Sequence, residues 1–267
     1  MSISWPRTKR ALGVRSGSAT HRGLVRSENQ DDYGAFHPAE PAGSRSASSY
    51  LFIVADGMGG HAGGKRASHI AVQTISEVFF SHPTSRLDQD LRRAIEAANG
   101  RIFAEAATGP LWGMGTTCTA MAIRNQEAWI GHVGDSRAYV VKDDSIRQLT
   151  QDHTHVEELR RRGLLSTEEA AAHPKRSVLT RALGGDALVN VDVYEVGALE
   201  AGTRYLLCSD GLTVVAPDRI RETVCTLPPA EASSKLIDMA LEQGAPDNVT
   251  VQIIEIYRPA FFRRRTS

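Results

Sequence analysis

The sequence predicts an α+β layered sandwich in a single domain, and three observations lead there. Short, β-prone apolar runs come in groups joined by turn-like connections. Helical stretches stand between pairs of those runs rather than alternating with each. No internal repeat and no Pro-, Gly- or Ser-rich linker divides the chain. With 267 residues and 41% apolar content the chain can fill a core without disulfide staples. Cys118, Cys208 and Cys225 are odd in number and widely spaced, with no CxxC pair. That pattern argues against a secreted disulfide framework and a zinc ribbon, and for a reducing cytoplasm.

The elements follow in order. The opening MSISWPRTKRALGVRSGSAT is basic and lacks the apolar centre of a signal peptide, and no apolar stretch approaches the roughly 18 residues of a membrane span. The expectation is a cytoplasmic protein with residues 1–16 as a flexible basic arm and 17–257 as the domain. Residues 50–55 (YLFIVA) form a short β-prone run that stops at Asp56-Gly57, which reads as a buried strand delivering a carboxylate at its end. Apolar residues spaced by three and four predict helices over 62–80, 87–107 and 230–243 and a short one near 155–162. Strands are predicted at 115–124, 128–133, 137–141, 204–208 and 249–257, several joined by connections short enough for antiparallel pairing. Two excursions remain, a hairpin loop over 37–49 and a polar, partly helical flap over 152–176, and a basic tail follows at 258–267.

Charge narrows the function. The chain is formally neutral, with 31 Lys and Arg against 31 Asp and Glu. Ten of the bases lie in residues 1–26 and 258–267, where there is no acid, so the body between carries a net charge of −10. A basic face for nucleic acid is therefore disfavoured, and an acidic body favours cations instead. The tails themselves read as solvated ends.

Four carboxylates adjoin Gly or Asn at expected strand ends: Asp56-Gly57, Gly134-Asp135, Asp210-Gly211 and Asp247-Asn248. Singly, each is ordinary turn chemistry. Asp31 and Asp32 add an acidic pair near Arg26. Converging on one rim, such carboxylates could not stay ionised without cations, and all-oxygen donors select magnesium or manganese over zinc.

The ordered set RSENQDD (26–32), VADGMGGHAGG (54–64), GMGTT (113–117), GHVGDSRAY (131–139), LTQDH (149–153), SVLTRALGG (177–185), YLLCSDGL (205–212) and PDNVT (246–250) resembles the PPM family, the metal-dependent type 2C Ser/Thr protein phosphatases, in its bacterial form. The resemblance spans about residues 17–256. It implies a four-layer α-β-β-α sandwich, two antiparallel sheets flanked by helix pairs, with two or three Mn2+ or Mg2+ at one end. Asp56 resembles the carboxylate that bridges two metals and Gly57 the carbonyl that ligates one. Asp210 and Asp247 resemble ligands of the other. Asp31, with Gln30 where many relatives have Glu, would act mainly through metal-bound water. Asp135 resembles the holder of an additional, weaker metal, with Asp210 shared, and Arg26 the phosphate-binding arginine, whose planar fork suits two phosphoryl oxygens.

The implied activity is hydrolysis of phosphoserine and phosphothreonine in proteins by direct attack of a metal-bridging hydroxide, opposing a bacterial Ser/Thr kinase. A covalent phosphoenzyme is not required, in keeping with Cys118 and Cys208 as packing residues inside strands. Met58 stands where eukaryotic relatives carry a DGHGG histidine, so the proton donor to the leaving alkoxide stays open. His61 and His132 are candidates, each also readable as a structural histidine. Water on a metal held by Asp135 is the preferred source, which Asp135→Asn would test by costing more on a phosphopeptide than on an aryl phosphate.

Rival readings are weaker. Residues 59–65 satisfy GxxxxGK, yet Arg66 replaces the Ser or Thr of a P-loop, and Asp56 would repel a nucleotide phosphate. Asp152-His153-Thr154-His155 has an HxH spacing without further zinc donors nearby, and Asp152 is a weaker outer-shell candidate than Asp135. Thr180, Arg181 and the flap are expected to shape substrate access. A catalytically silent phosphoprotein-binding module would be expected to lose ligands, whereas Asp31, Asp56, Asp210 and Asp247 are all present. Nothing specifies oligomeric state, and a monomer is the expectation.

Overall fold

A computed structural model describes residues 12–37, 49–59, 61–108 and 111–259. The β-branched runs form two antiparallel sheets. One has the order β1 (Gly13–His21), β11 (Val249–Tyr257), β10 (Arg204–Cys208), β7 (Arg137–Lys142) and β8 (Ser145–Gln148). The other runs β2 (Asp31–Phe36), β3 (Ser49–Met58), β5 (Cys118–Arg124), β6 (Glu127–Val133) and β9 (Asp192–Glu195), with the two-residue β4 (Gly115–Thr116) added to the end of β3. Between the sheets lies an apolar layer that includes Phe52, Val54, Met121, Ile130, Leu207 and Ile254.

The outer faces are covered by helices, because alternate residues of the strands are apolar on that side too. Helices α1 (His61–Ser81) and α2 (Leu87–Thr108) bury Ile70, Ile75, Leu91 and Ile95 against Leu51, Ile53 and Ala120 of the second sheet. Helices α5 (Pro217–Thr226) and α6 (Pro229–Glu242) bury Ile220, Val224, Leu236 and Ile237 against Leu206, Val251 and Ile253 of the first. The result is the expected α-β-β-α order. The flap holds α3 (His155–Arg161) and α4 (Thr167–Ala172), the latter closed by a capping box between Ser166 and Glu169. No helix among the described residues is long and apolar enough to cross a membrane.

Several expectations change. Residues 13–16 are not arm but the start of β1, which pairs with β11 from Gly13 opposite Tyr257 to His21 opposite Val249. Its sequence GVRSGSATH shows no clear alternation because Gly17 sits where a Cβ would fall 2.2 Å from the Ala230 backbone, so α6 packs on bare backbone. The strand through 50–55 does not stop at Asp56; Gly57 and Met58 pair on with Thr116 and Gly115 of β4. Strands β2, β8 and β9 and helices α4 and α5 were not foreseen, being short, polar or at sheet edges. Residues 1–11, most of the 37–49 loop and 260–267 lie outside the described residues.

Candidate metal and phosphate site

Antiparallel register gathers the strand-end carboxylates at one rim. Asp31 opens β2 directly opposite Asp56 of β3. Asp135 lies in the link between β6 and β7, Asp210 begins a 3-10 turn just past β10, and Asp247 immediately precedes Asn248 and β11. Asp56, Gly57, Asp135, Asp210 and Asp247 line one cleft of about 610 Å³, with Arg26 on its wall. The neighbour Asp32 is turned the other way by the pleat and contacts His69 of α1 at 3.0 Å.

Small polar groups fix these carboxylates from behind. Ser209 Oγ and Thr250 Oγ1 both donate to Asp31 Oδ2, at 2.7 and 2.6 Å. The Asp56 N–H donates to Thr117 Oγ1 at 2.9 Å, and Thr116 Oγ1 donates to Asp56 O. Asn248 accepts from the Gln30 N–H and donates to Arg22 O and Glu28 O, holding both ends of the loop that carries Arg26. Arg26 Nη2 reaches Asp247 Oδ2 at 2.6 Å. Gly57 admits no side chain, since a Cβ there would stand 2.1 Å from Gly64 O.

The electrostatics are those of a site short of positive charge. Desolvation, then the nearby Asp210 and Asp247, pushes Asp31 up to about 7 against its two hydroxyl bonds. Desolvation followed by repulsion from Asp210 takes Asp135 up to about 7, and desolvation with Asp247 takes Asp210 up to about 6. Asp56 is held well above the usual carboxylate range by desolvation and by Asp31, Asp210, Asp135 and Asp247 together. Among the described residues, Asp31 Oδ1 and Asp210 Oδ1 are buried and find no hydrogen-bond partner.

These orphaned oxygens and the all-oxygen donor set fit hard divalent cations. Among the described residues no three His, Cys, Asp or Glu close on one point tightly enough to hold an ion by themselves. Mg2+ and similar ions characteristically keep several waters and take only one or two carboxylates each.

The histidines lie elsewhere. His132 is fully buried, with Nδ1 against Thr119 Oγ1 and Nε2 against Gln151 O, and burial followed by the nearby His153 takes it down to about 3. His153 is buried too, bonded to the Gly134 N–H and to Asp192. Asp152 is engaged by Arg137 at 2.6 Å. Ser177, Val178 and Leu179 line the cleft, whereas Arg181 pairs with Asp192 outside it. Lys65 of the GxxxxGK stretch pairs with Glu28, and the side chain of His61 lies outside the described residues.

The family model described as Protein phosphatase 2C matches residues 20–245. The chain belongs to the protein phosphatase 2C family. Among its relatives in that family is the serine/threonine protein phosphatase PstP of Mycobacterium tuberculosis, 37% identical over 247 residues. That alignment covers 92% of this chain and 45% of PstP, so the chain spans about half the length of that relative. The serine/threonine phosphatase stp of Listeria monocytogenes is 37% identical over 247 residues, covering 88% of this chain and 93% of stp. The crystal structure of the Mycobacterium tuberculosis PstP/Ppp phosphatase superposes with a TM-score of 0.79 over 91% of this chain and 99% of that one. The PstP catalytic domain in complex with two manganese ions gives 0.77 at 35% identity, over 92% of this chain and all of that one.

Within this phosphatase 2C fold, reading the sequence missed Ser209, Thr250, Thr117 and Asn248. Each stood inside a recognised motif, CSDGL, PDNVT or GMGTT, and Ser209 and Asn248 directly adjoin a chosen aspartate. A hydroxyl or amide adjoining a buried carboxylate was the available signal.

Proposed function

We propose that this chain is a metal-dependent protein phosphatase that hydrolyses phosphoserine and phosphothreonine without a covalent intermediate. The observation that carries the reading is the convergence of Asp56, Asp135, Asp210 and Asp247, with Asp31 behind them, on one cleft walled by Arg26. In this reading Asp56, Gly57 O, Asp210 and Asp247 hold two Mn2+ or Mg2+, Asp31 acts through water, and Asp135 with Asp210 holds a third, weaker ion. When bound, the ions supply Lewis acidity that acidifies water and offsets phosphoryl charge.

The chain does the rest. Arg26 is exposed on the cleft wall and its guanidinium can leave Asp247 for two phosphoryl oxygens. Ser209 and Thr250 hold Asp31 Oδ2 and leave Oδ1 to accept from water. Met58 and Val178, 39% and 48% exposed, give the lining an apolar face for the carbon skeleton of the phosphorylated residue. His132 has both ring nitrogens committed and is not the proton donor. Cys118 and Cys208, buried and with thiols pushed up to about 12, are not nucleophiles.

Substrates are phosphorylated proteins, the products of Ser/Thr kinases. The working unit runs from β1 to β11 and is read as a monomer. Its unpaired cysteines suit a reducing cytoplasm. The test is phosphate release from a phosphothreonine peptide and from an aryl phosphate in Mn2+. Release that is lost on chelation and in Asp56→Asn supports the reading. Phosphopeptide binding without release would instead make the chain a silent binding module.

A further inference from the structure

His153 makes contacts that the proposed reaction does not use. It is 3% exposed, and both backbone groups of Gly134, the residue before Asp135, end on it. The His153 N–H donates to Gly134 O at 2.7 Å, and the ring Nδ1 accepts from the Gly134 N–H at 3.0 Å. On its other side, the His153 carbonyl accepts from the Thr180 N–H at 2.8 Å, Thr154 bridges to Leu179, and the His155 N–H donates to Val178 O. The cleft wall at 178–180 therefore hangs from the segment 153–155, whose first residue also holds the loop that carries Asp135.

The ring is locked. An Nδ1 that accepts is unprotonated, which places the proton on Nε2, 3.1 Å from Asp192 Oδ2. Asp192 is in turn held by Arg181 and Tyr194. Gly134 has little freedom, with φ +111° and a missing Cβ that would fall 2.6 Å from the Thr117 side chain.

We infer that His153 is a positioning residue for Asp135: Nδ1 fixes the Gly134–Asp135 peptide, Asp192 fixes the ring, and the pair sets Asp135 against that wall for the weaker metal ion. This rests on the metal-dependent reading above. A histidine that only fills the core would tolerate or lose both ring contacts alike, so two variants separate the roles. His153→Asn keeps an acceptor near the Nδ1 position and loses Asp192. His153→Gln reaches Asp192 and loses the acceptor for Gly134.

Mn2+ binding is measured by calorimetry on the full chain, beside metal-free melting. His153→Gln is expected to weaken the loosest Mn2+ step about tenfold or more and leave tighter steps within about twofold, while His153→Asn stays within about threefold throughout. Wild-type affinity in His153→Gln, or equal losses in the two variants, overturns the inference. Should His153→Gln fail to fold, Asp192→Asn frees the ring without touching Gly134, and faster amide exchange at 134 and 135 is expected. Unchanged exchange there overturns it. A wild type that binds Mn2+ but releases no phosphate defeats the phosphatase reading alone and leaves the variant comparison intact.

Discussion

Arg26 Nη2 lies 2.6 Å from Asp247 Oδ2, an ion pair that joins residues 221 positions apart across the mouth of the cleft. Asp247, by hydrogen bond and charge, raises the Arg26 guanidinium further above its ordinary range, so the arginine stays cationic at every working pH. The pair is partly exposed and its net worth to stability is small. The pair holds the Arg26 guanidinium, the proposed phosphate-binding cation, beside the carboxylates of the cleft.

Replacing that cation therefore acts on catalysis rather than folding. Arg26→Ala removes a charge-assisted hydrogen bond worth about 1.5–3 kcal/mol, so kcat/KM for an aryl phosphate is expected to fall about 10- to 100-fold with little change in melting. Arg26→Lys restores the charge without the fork and lies between. Steady-state kinetics decides this, and a loss below about twofold in Arg26→Ala contradicts the role.

Asp56 gives the clearest stability signature. Its folded value stands well above the roughly 3.9 of an exposed aspartate, so the folded state holds a proton that the unfolded chain gives up as pH rises. The carboxyl thus costs stability increasingly from about pH 4 upward, and asparagine does not. In chelator, Asp56→Asn should melt above wild type at pH 8 and converge with it towards pH 4, while abolishing Mn2+-dependent turnover. Equal melting differences at the two pH values would refute the linkage.

Metal affinity should carry the same protons. Asp135, pushed up to about 7, and Asp210, up to about 6, must lose theirs before binding a cation, and Asp31, also pushed up to about 7, before accepting from the water it is read to act through. Apparent Mn2+ affinity is expected to fall as pH drops from about 8 to 5.5, with proton release growing over the same interval. Calorimetry in buffers of different ionisation enthalpy reads both, and a flat profile would remove the carboxylates from the binding step.

Asn248 is predicted to matter as much as an aspartate. Asn248→Ala deletes an acceptor for the Gln30 N–H and two donors, to Arg22 O and Glu28 O. At the usual net value per bond this costs about 2–4 kcal/mol, seen in chemical denaturation. KM should rise as well, because the freed loop carries Arg26. Unchanged KM in a folded variant would separate the loop from substrate binding.

How much was legible depends on where the determining contacts lie. Strands β10 and β11 match their expected bounds because RYLLC and VTVQIIEIY are buried apolar runs whose periodicity is local. Strand β1 and helix α5 were not read, since GVRSGSATH pairs by backbone on a sheet edge and PDRIRETVCT is mostly exposed. The candidate carboxylates were readable as strand-end aspartates within ordered motifs. Their hydroxyl and amide supports, Ser209, Thr250 and Asn248, stood in the same motifs, but residue type alone did not say which hydroxyl or amide meets which group.

By itself the sequence determined the family, the layered α+β class and the set of acidic residues, because residue type and local spacing specify elements and donor chemistry. Tertiary structure alone decided which groups meet. Register placed Asp31 opposite Asp56 and turned Asp32 to His69; packing enclosed His132 and tied His153 to Gly134; and folding across 221 positions brought Arg26 onto Asp247. The physical reason is that a side chain's orientation and desolvation depend on partners distant in the chain, which no local pattern encodes.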